Sequence, residues 1–198
     1  MTKIVGLTGG IGSGKTMVAN FFKEEGIPVY ISDERAKIIM DKPEVIQKIQ
    51  EIFDENVQKE GKLNRKRIRE IVFKESHLLE KLNAIVHPAV KKDFKQWVDL
   101  HQKYSFVIKE SALLFEQKLY KTCDYIILVT APEEIRVKRV VKRDGVTAES
   151  IRDIIRNQLK DEDKIPFCDW VIINVDKELV KKEIKNIIED INLRNNSI

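Results

Sequence analysis

Cysteine and glycine are both scarce in this chain of 198 residues. The two cysteines have neither C-x-x-C spacing nor a histidine cluster beside them, which argues against a structural zinc site and a disulfide framework. A reducing environment is therefore expected, and with it a cytoplasmic location. Of the eight glycines, five lie within residues 6–14, so the freedom of the backbone is concentrated at one point.

Long apolar runs are absent as well. No stretch approaches the roughly 18 apolar residues that span a bilayer, and the N-terminus lacks a basic segment followed by a long apolar one. We therefore expect neither export nor membrane insertion. The net charge of +4 is too small to argue for a nucleic-acid partner, and it suits anionic small-molecule substrates equally well.

The most informative segment is GGIGSGKT at residues 9–16, which matches G-x-x-x-x-G-K-[ST] at every fixed position. It directly follows an apolar run at residues 4–7 and precedes a helical pattern, which is the context that a phosphate-binding loop requires. A glycine-rich turn with a chance Lys-Thr is the alternative, and this context disfavours it. In such a loop Lys15 reaches the β- and γ-phosphates, while the Thr16 hydroxyl binds Mg²⁺ at a helix N-terminus that favours anions.

Five short apolar runs predict strands. They lie at residues 3–7, 28–32, 105–109, 125–130 and 170–175, and helical patterns separate them. Strands that alternate with helices imply right-handed crossovers and a parallel sheet, with ligands at the carboxyl ends of the strands. We therefore predict an α/β P-loop kinase fold with a five-stranded parallel sheet flanked by helices.

The uneven spacing of the strands predicts two helical insertions. One follows the second strand, with helices predicted at 43–53, 64–74, 77–86 and 88–101, and His87-Pro88 breaking the last pair. The other contains a helix that ends at Asp144-Gly145 and another that starts near Thr147. We assign residues 1–33, 104–131 and 170–198 to a nucleotide-binding core, 34–103 to an acceptor domain and 132–169 to a lid.

Two acidic residues follow predicted strands. Asp33 follows the second strand, where it suits a general base on an attacking hydroxyl, an outer Mg²⁺ ligand or a helix N-cap. Glu110 closes the third strand, where it suits either water-mediated contact with Mg²⁺ or a solvated strand end. Glu116 is a weaker candidate of the same kind.

Three arginines share one predicted helix face, because Arg136, Arg139 and Arg143 fall at i, i+3 and i+7. Such a face is often simply solvated, but beside a phosphate loop it favours a lid that closes over the triphosphate. His87 either contacts substrate or marks a helix boundary, and the residues by themselves favour the boundary. Asn174 ends the last strand, either near a nucleobase or as a turn residue.

Missing motifs narrow the class of phosphate-loop protein. Neither a D-x-x-G switch nor Asn-Lys-x-Asp is present after the loop, so a regulatory GTPase is disfavoured, and no L-S-G-G-Q element indicates a transport ATPase. A small kinase remains, which could act on a metabolite hydroxyl or on a nucleoside or nucleotide. A non-catalytic nucleotide-binding regulator is the other class left open.

At this point the motifs resemble one family, the dephospho-coenzyme A kinases, over nearly the whole chain. The resemblance starts with GLTGGIGSGKT at residues 6–16 and continues through Asp33. Further similar elements are Leu63-Asn64-Arg65, Val72-Phe73, Ile85-Val86-His87-Pro88, the segment ESALLFE at 110–116, Arg139, Arg143, Gln158, and Asp169 with Asn174. Three positions depart from the family pattern, with Ile31 and Glu110 each in place of an aspartate and Ala112 in place of a proline.

The resemblance implies phosphorylation of the ribose 3′-hydroxyl of dephospho-CoA by ATP with Mg²⁺, the last step of coenzyme A synthesis. It implies small-molecule partners, ATP and dephospho-CoA, rather than nucleic acid or membrane. Lys15, Asp33 and Arg139 are then the expected catalytic residues, and Thr16 the metal ligand. The expected ATP-binding residues are Gly9, Gly10, Ile11, Gly12, Ser13, Gly14, Lys15, Thr16, Met17, Arg139, Arg143 and Asn174. The expected acceptor-binding residues are Thr8, Asp33, Arg65, His87, Glu110 and Leu113.

Overall fold

The computed structural model describes residues 2–196, which form two compact units. One consists of Met1–Tyr30 with His101–Ile198, and the other of Ile31–Leu100. The strands are β1 (Lys3–Thr8), β2 (Val29–Ile31), β3 (Gln58–Lys59), β4 (Lys62–Leu63), β5 (Phe106–Glu110), β6 (Tyr125–Thr130) and β7 (Trp170–Ile173). The helices are α1 (Lys15–Glu24), α2 (Ser32–Met40), α3 (Pro43–Gln50), α4 (Arg65–Lys74), α5 (Ser76–Leu100), α6 (Glu133–Asp144), α7 (Ala148–Asn157), α8 (Asp161–Lys164) and α9 (Lys177–Asn196).

The first unit is built on a five-stranded sheet in the order β2-β5-β1-β6-β7. Strand β1 pairs in parallel with β5 and β6, and β6 pairs in parallel with β7. This confirms the predicted fold class, and all five predicted strands are found with ends shifted by at most two residues. Because these strands are parallel, their carboxyl ends lie at one edge of the sheet, where a ligand site is expected.

Helices α1 and α9 bury one face of this sheet. Helix α1 has apolar residues at spacings of three and four, so Val18 and Phe22 lie on one side of it and are fully buried. They belong to a cluster that also contains Val5, Leu7, Ile127, Val129, Ile172, Ile184 and Ile191. This packing fixes the start of α1 against the end of β1, where the phosphate loop lies.

The second unit is largely helical and has its own core. Helices α2 to α5 bury a cluster containing Ile39, Ile49, Val57, Ile68, Leu82 and Val86. A salt bridge joins α2 to α5, since Arg35 donates two hydrogen bonds to Asp93, at 3.0 and 2.7 Å. The antiparallel pair β3–β4, which the sequence analysis did not predict, turns at Glu60-Gly61, where both φ angles are positive as a two-residue hairpin requires.

The predicted helix break at His87-Pro88 is wrong. Helix α5 runs without interruption from Ser76 to Leu100 and contains Pro88 in its interior. A proline there removes one backbone hydrogen bond and costs about 3 kcal/mol. Buried residues on both sides of it, among them Val86 and Phe94, pack the helix and offset that cost.

Residues 132–169, expected to form a separate lid, are grouped with the first unit. Helix α6 ends at Gly145, and the Thr147 side chain caps α7 by accepting a hydrogen bond from the amide of Ser150 at 3.3 Å. Val137, Val140 and Ile151 form a small cluster on these two helices, and the side chain of Ile11 packs against it. Helices α6 and α7 therefore pack directly against Ile11 of the phosphate loop.

Within residues 2–196 no helix is both long enough and apolar enough to cross a bilayer. Cys123 and Cys168 are free thiols. Both pack against the small cluster formed by Leu114, Phe115 and Ile126.

Candidate functional site: a phosphate loop held by its carbonyl groups

The phosphate loop occupies the turn between β1 and α1. Strand β1 ends at Thr8, and Gly14 is the N-cap of α1 with left-handed backbone angles, φ 93° and ψ 24°. A helix N-terminus favours an anion, and within this turn the Ser13 amide donates to the carbonyl oxygen of Gly10 at 3.2 Å and the Met17 amide to that of Gly14 at 3.0 Å. The local sequence thus places a row of N–H groups at the carboxyl edge of the sheet.

Gly12 and Gly14 are required by protein contacts as well as by their backbone angles. Gly12 has φ 75°, and a Cβ there would come within 2.5 Å of the carbonyl oxygen of Arg136. A Cβ on Gly14 would lie 2.0 Å from the Asn174 side-chain nitrogen. Because Gly12 and Gly14 lack a Cβ, the backbone of Arg136 and the side chain of Asn174 can lie closer to the loop than any larger residue at these positions would permit.

The carbonyl groups of the loop are bound by side chains from distant elements. Arg136 donates from Nε to the oxygen of Ile11 at 2.8 Å, and Asn174 donates from Nδ2 to the oxygen of Ser13 at 2.7 Å. Arg139 donates more weakly to the same Ser13 oxygen at 3.4 Å and to the oxygen of Asn174 at 2.9 Å. The C=O and the following N–H of a trans peptide point in opposite directions. The amides of Gly12 and Gly14 therefore point away from the side chains that bind the carbonyls of Ile11 and Ser13.

Ile11 is held on both sides of its backbone. Its amide donates to Oε1 of Gln158 at 2.9 Å, and its carbonyl accepts from Arg136. In this structure the Ile11 amide is therefore bound by the segment that follows α7, and contact between Ile11 and ATP stays a prediction. The remaining expected contacts at Gly9, Gly10 and Met17 lie in the loop and the first turn of α1.

Lys15 and Thr16 begin α1, as the motif requires. The ammonium group of Lys15 donates to the carbonyl oxygen of Gly9 at 2.8 Å and to that of Gly10 at 3.4 Å, so it lies across the loop. The Thr16 side chain is exposed to solvent. The hydroxyl of Ser13 is buried and makes no hydrogen bond within the described residues 2–196.

Arg143 differs from the two arginines that share its helix face. It is exposed, and both of its contacts run to its neighbour Asp144, at 2.7 Å each. This pair raises the pKa of Arg143 and lowers the pKa of Asp144, chiefly through the shared hydrogen bonds. The structure therefore brings Arg136 and Arg139 to the loop, while contact between Arg143 and a nucleotide stays a prediction.

Three of the expected acceptor residues lie in the first unit. Thr8 is buried at the end of β1. Glu110 ends β5, is 5% exposed, and pairs in register with Leu7 of β1, which lies two residues before Gly9 of the loop. Leu113 follows on the surface and is 45% exposed. Glu116, the weaker candidate, is exposed.

The other three expected acceptor residues lie in the second unit. Asp33 is exposed in the first turn of α2, which confirms a position just beyond the second strand. Arg65 opens α4 and donates to Asp41 at 2.7 Å and to the carbonyl oxygen of Lys37 at 2.8 Å. His87 is exposed on α5. Contacts of these residues with an acceptor stay predictions.

The sequence analysis missed three polar residues behind the loop. Oδ2 of Asp161 accepts a hydrogen bond from the Thr130 hydroxyl at 2.6 Å and lies 3.6 Å from the guanidinium of Arg136. Lys164 is buried beside it. The segment Asp-Glu-Asp-Lys at 161–164 is typical of a solvated helix, so no local signal distinguishes these side chains.

Comparison with known proteins adds a family to this geometry. A sequence model of the dephospho-CoA kinases matches residues 3–180. A dephospho-CoA kinase of Bacteroides fragilis is 38% identical over 185 residues, covering 93% of this chain and 90% of the relative. The crystal structure of TT1252 from Thermus thermophilus superposes with a TM-score of 0.86 at 30% identity, covering 96% of this chain and 97% of that one. A Campylobacter jejuni dephospho-CoA kinase shares the fold with a TM-score of 0.74 at 24% identity, covering 98% of this chain and 100% of that one.

Proposed function

The chain belongs to the dephospho-CoA kinase family, whose activity is the ATP-dependent phosphorylation of dephospho-CoA in coenzyme A biosynthesis, and we propose how its residues perform that reaction. The comparisons favour this function over another small-molecule or nucleotide kinase. The observation that carries the residue assignments is the phosphate loop, whose carbonyls are bound by Arg136, Arg139 and Asn174.

In the proposed mechanism the loop binds the triphosphate of ATP through its amides. Lys15 exchanges its contact with the Gly9 carbonyl for the β- and γ-phosphates, and the buried Ser13 hydroxyl gains a phosphate oxygen as its partner. Phosphoryl transfer depends mainly on positioning and charge neutralisation, so the orientation of these donors supplies most of the rate. Arg139 contributes by holding the Ser13 and Asn174 backbone and by placing a positive charge beside the loop.

The residues present fit a bound Mg²⁺. Thr16 offers an exposed hydroxyl in the first turn of α1, and a magnesium ion in such sites takes most of its other ligands from phosphates and water. Within residues 2–196 no group of three or more His, Cys, Asp or Glu side chains forms a separate metal site. When bound, the ion neutralises charge on the β- and γ-phosphates.

The acceptor is proposed to bind with its ribose 3′-hydroxyl directed at the γ-phosphate. Asp33 would accept the proton of that hydroxyl, because it is an exposed carboxylate in the first turn of α2. The residues proposed to contact the acceptor are Thr8, Arg65, His87, Glu110 and Leu113. Closure of residues 132–169 over ATP would exclude water from the reaction. We also propose a cytoplasmic location, because both cysteines are free thiols.

The test is a product analysis. Purified protein is incubated with ATP, Mg²⁺ and dephospho-CoA, and the product is analysed by mass spectrometry and by ³¹P and ¹H NMR for the position of the new phosphate. Coenzyme A with a 3′-phosphate is the expected product. Faster phosphorylation of adenosine or AMP in parallel reactions, or a phosphate at the 2′-position, would contradict the proposal.

A further inference from the structure

Lys164 is an unusual lysine. It ends the short helix α8, and its side chain is only 2% exposed. Within residues 2–196 the one carboxylate within 4 Å of its ammonium group is that of Asp161, whose Oδ1 lies 3.7 Å from Nζ, longer than a normal hydrogen bond. Charged groups are rarely buried with so little compensation, because the loss of water is costly unless a partner replaces it.

The carboxylate of Asp161 is shared with a second cation. The guanidinium of Arg136 lies 3.6 Å from Oδ2 of Asp161, and the side chains of Arg136 and Asp161 are 10% and 14% exposed. Thr130 adds a neutral hydrogen bond to the same oxygen. Two positive groups therefore share one negative group, and the buried cluster of Arg136, Asp161 and Lys164 has one unit of excess positive charge.

This cluster lies directly against the phosphate loop. The guanidinium of Arg136 binds the Ile11 carbonyl and lies over Gly10, where a Cβ would come within 2.1 Å of Nη2. Thr130 ends β6, and β6 pairs with β1 up to Thr8, the residue that precedes the loop. The excess charge is thus placed next to the site proposed for the triphosphate.

We infer that Lys164 is a positioning residue for nucleotide phosphates: together with Asp161 and Arg136 it forms a buried cationic cluster whose excess charge is balanced by the anion bound in the loop. This inference deepens the proposed function and rests on the loop as the phosphate site. Lys164 acts at a distance through the electric field, and Asp161 holds Arg136 on the loop. Without nucleotide, the excess charge of the cluster lowers the stability of the folded protein. With nucleotide bound, the same charge attracts the phosphates, and this attraction grows with the negative charge of the ligand.

A purely structural lysine makes the opposite prediction. If Lys164 served only to fill space and pair with Asp161, its removal would destabilise the protein and weaken all nucleotides to the same extent. If the excess charge matters, an apolar side chain of similar length should leave the empty protein equally stable or more stable, because Asp161 keeps Arg136 and Thr130 as partners.

The test compares Lys164→Met with Lys160→Met. Lys160 is the N-cap of the same helix and is exposed, so its replacement removes the same charge from a solvated position. Dissociation constants for ATP, ADP and AMP are measured by calorimetry without Mg²⁺, at two salt concentrations, and melting temperatures are measured without nucleotide.

For Lys164→Met we expect roughly tenfold weaker ATP binding, which is the effect of one charge at a separation of roughly 10 Å with an effective dielectric constant of about 20. The loss should be smaller for ADP and smallest for AMP, should depend little on salt, and should come with an unchanged or raised melting temperature. For Lys160→Met we expect a change below about twofold that salt suppresses.

Three results would overturn the inference. They are ATP affinity equal to that of the unmodified protein, equal losses for ATP, ADP and AMP, and a lowered melting temperature of the nucleotide-free variant. None of these bears on the kinase assignment, which the product analysis tests separately. A protein that binds ATP with this charge dependence but leaves dephospho-CoA unchanged would contradict the proposed function and leave the inference standing.

Discussion

The side-chain amide of Asn174 donates a hydrogen bond to the carbonyl oxygen of Ser13 at 2.7 Å, although 161 residues separate the two in the chain. The backbone amide of Asn174 is itself bound to the carbonyl oxygen of Thr130 at 2.8 Å, so this side chain is anchored to the sheet. The residue after the last strand therefore fixes the loop that follows the first strand. Asn174, for which the sequence analysis left open a place near a nucleobase or a role in a turn, contacts the phosphate loop in this structure, and its position near a nucleobase stays a prediction.

Arg139 should contribute far more to turnover of ATP than Lys138, its neighbour on α6. We expect Arg139→Ala to lower kcat/KM for ATP by about two orders of magnitude, because it removes both the contact with the loop and a charge beside the phosphates. Lys138→Ala is the control, since Lys138 is exposed on the same helix. Steady-state kinetics decide the matter, and similar losses in the two variants would contradict the role given to Arg139.

The loop glycines can be tested against a glycine of the same backbone conformation. Gly12 and Gly26 have φ of 75° and 78°, but a Cβ at Gly26 would meet no atom within 4 Å. We expect Gly26→Ala to cost about 1 kcal/mol from its backbone angles alone and to leave activity intact. Gly12→Ala should abolish ATP binding in addition, because the new Cβ would collide with the backbone of Arg136. Thermal unfolding and calorimetry separate the two effects.

Asp33 should be needed for turnover but not for nucleotide binding. We expect Asp33→Asn to reduce kcat by at least roughly a hundredfold while the dissociation constant for ATP changes little, because the amide cannot accept the proton of the attacking hydroxyl. Glu34→Gln removes the same charge from the next exposed position of α2 and serves as the control. An unchanged kcat for Asp33→Asn would assign the base to another residue.

Both cysteines should resist alkylation in the native protein. Burial raises the pKa of the Cys123 thiol and of the Cys168 thiol to about 11, so each is protonated at pH 8 and lacks the reactive thiolate. Because the raised pKa favours the protonated form, reactivity should grow only as the pH rises towards 11. Iodoacetamide labelling followed by mass spectrometry measures this, with urea-unfolded protein as the control. Native labelling as fast as that of the unfolded chain would contradict it.

Features with a local signal were predictable from the sequence. The phosphate loop, the strand before it and the helix after it depend on neighbouring residues, as does the Thr147 cap, and all are found. The break at Pro88 was wrong because a local rule about proline was outweighed by packing along the rest of α5. The β3–β4 pair was missed because strands of two residues show no periodicity.

Helix periodicity was only partly informative about the three arginines. It correctly placed Arg136, Arg139 and Arg143 on one face of a helix, and the first two of them contact the loop. It could not show that Arg143, in the last turn of α6, would pair with Asp144 in solvent. That outcome depends on where the loop lies relative to the end of the helix, which is a tertiary relationship.

By itself the sequence determined the class of chemistry, because phosphate binding depends on glycines, a lysine and a threonine at fixed spacing in one short segment. Only the tertiary structure decided what holds that segment, since Arg136 and Asn174 reach it from more than 100 residues away and Asp161 in turn lies beside Arg136. The physical reason is the range of the interactions. Backbone angles and helix termini are set by adjacent residues, whereas the burial of a charge depends on every element that packs around it.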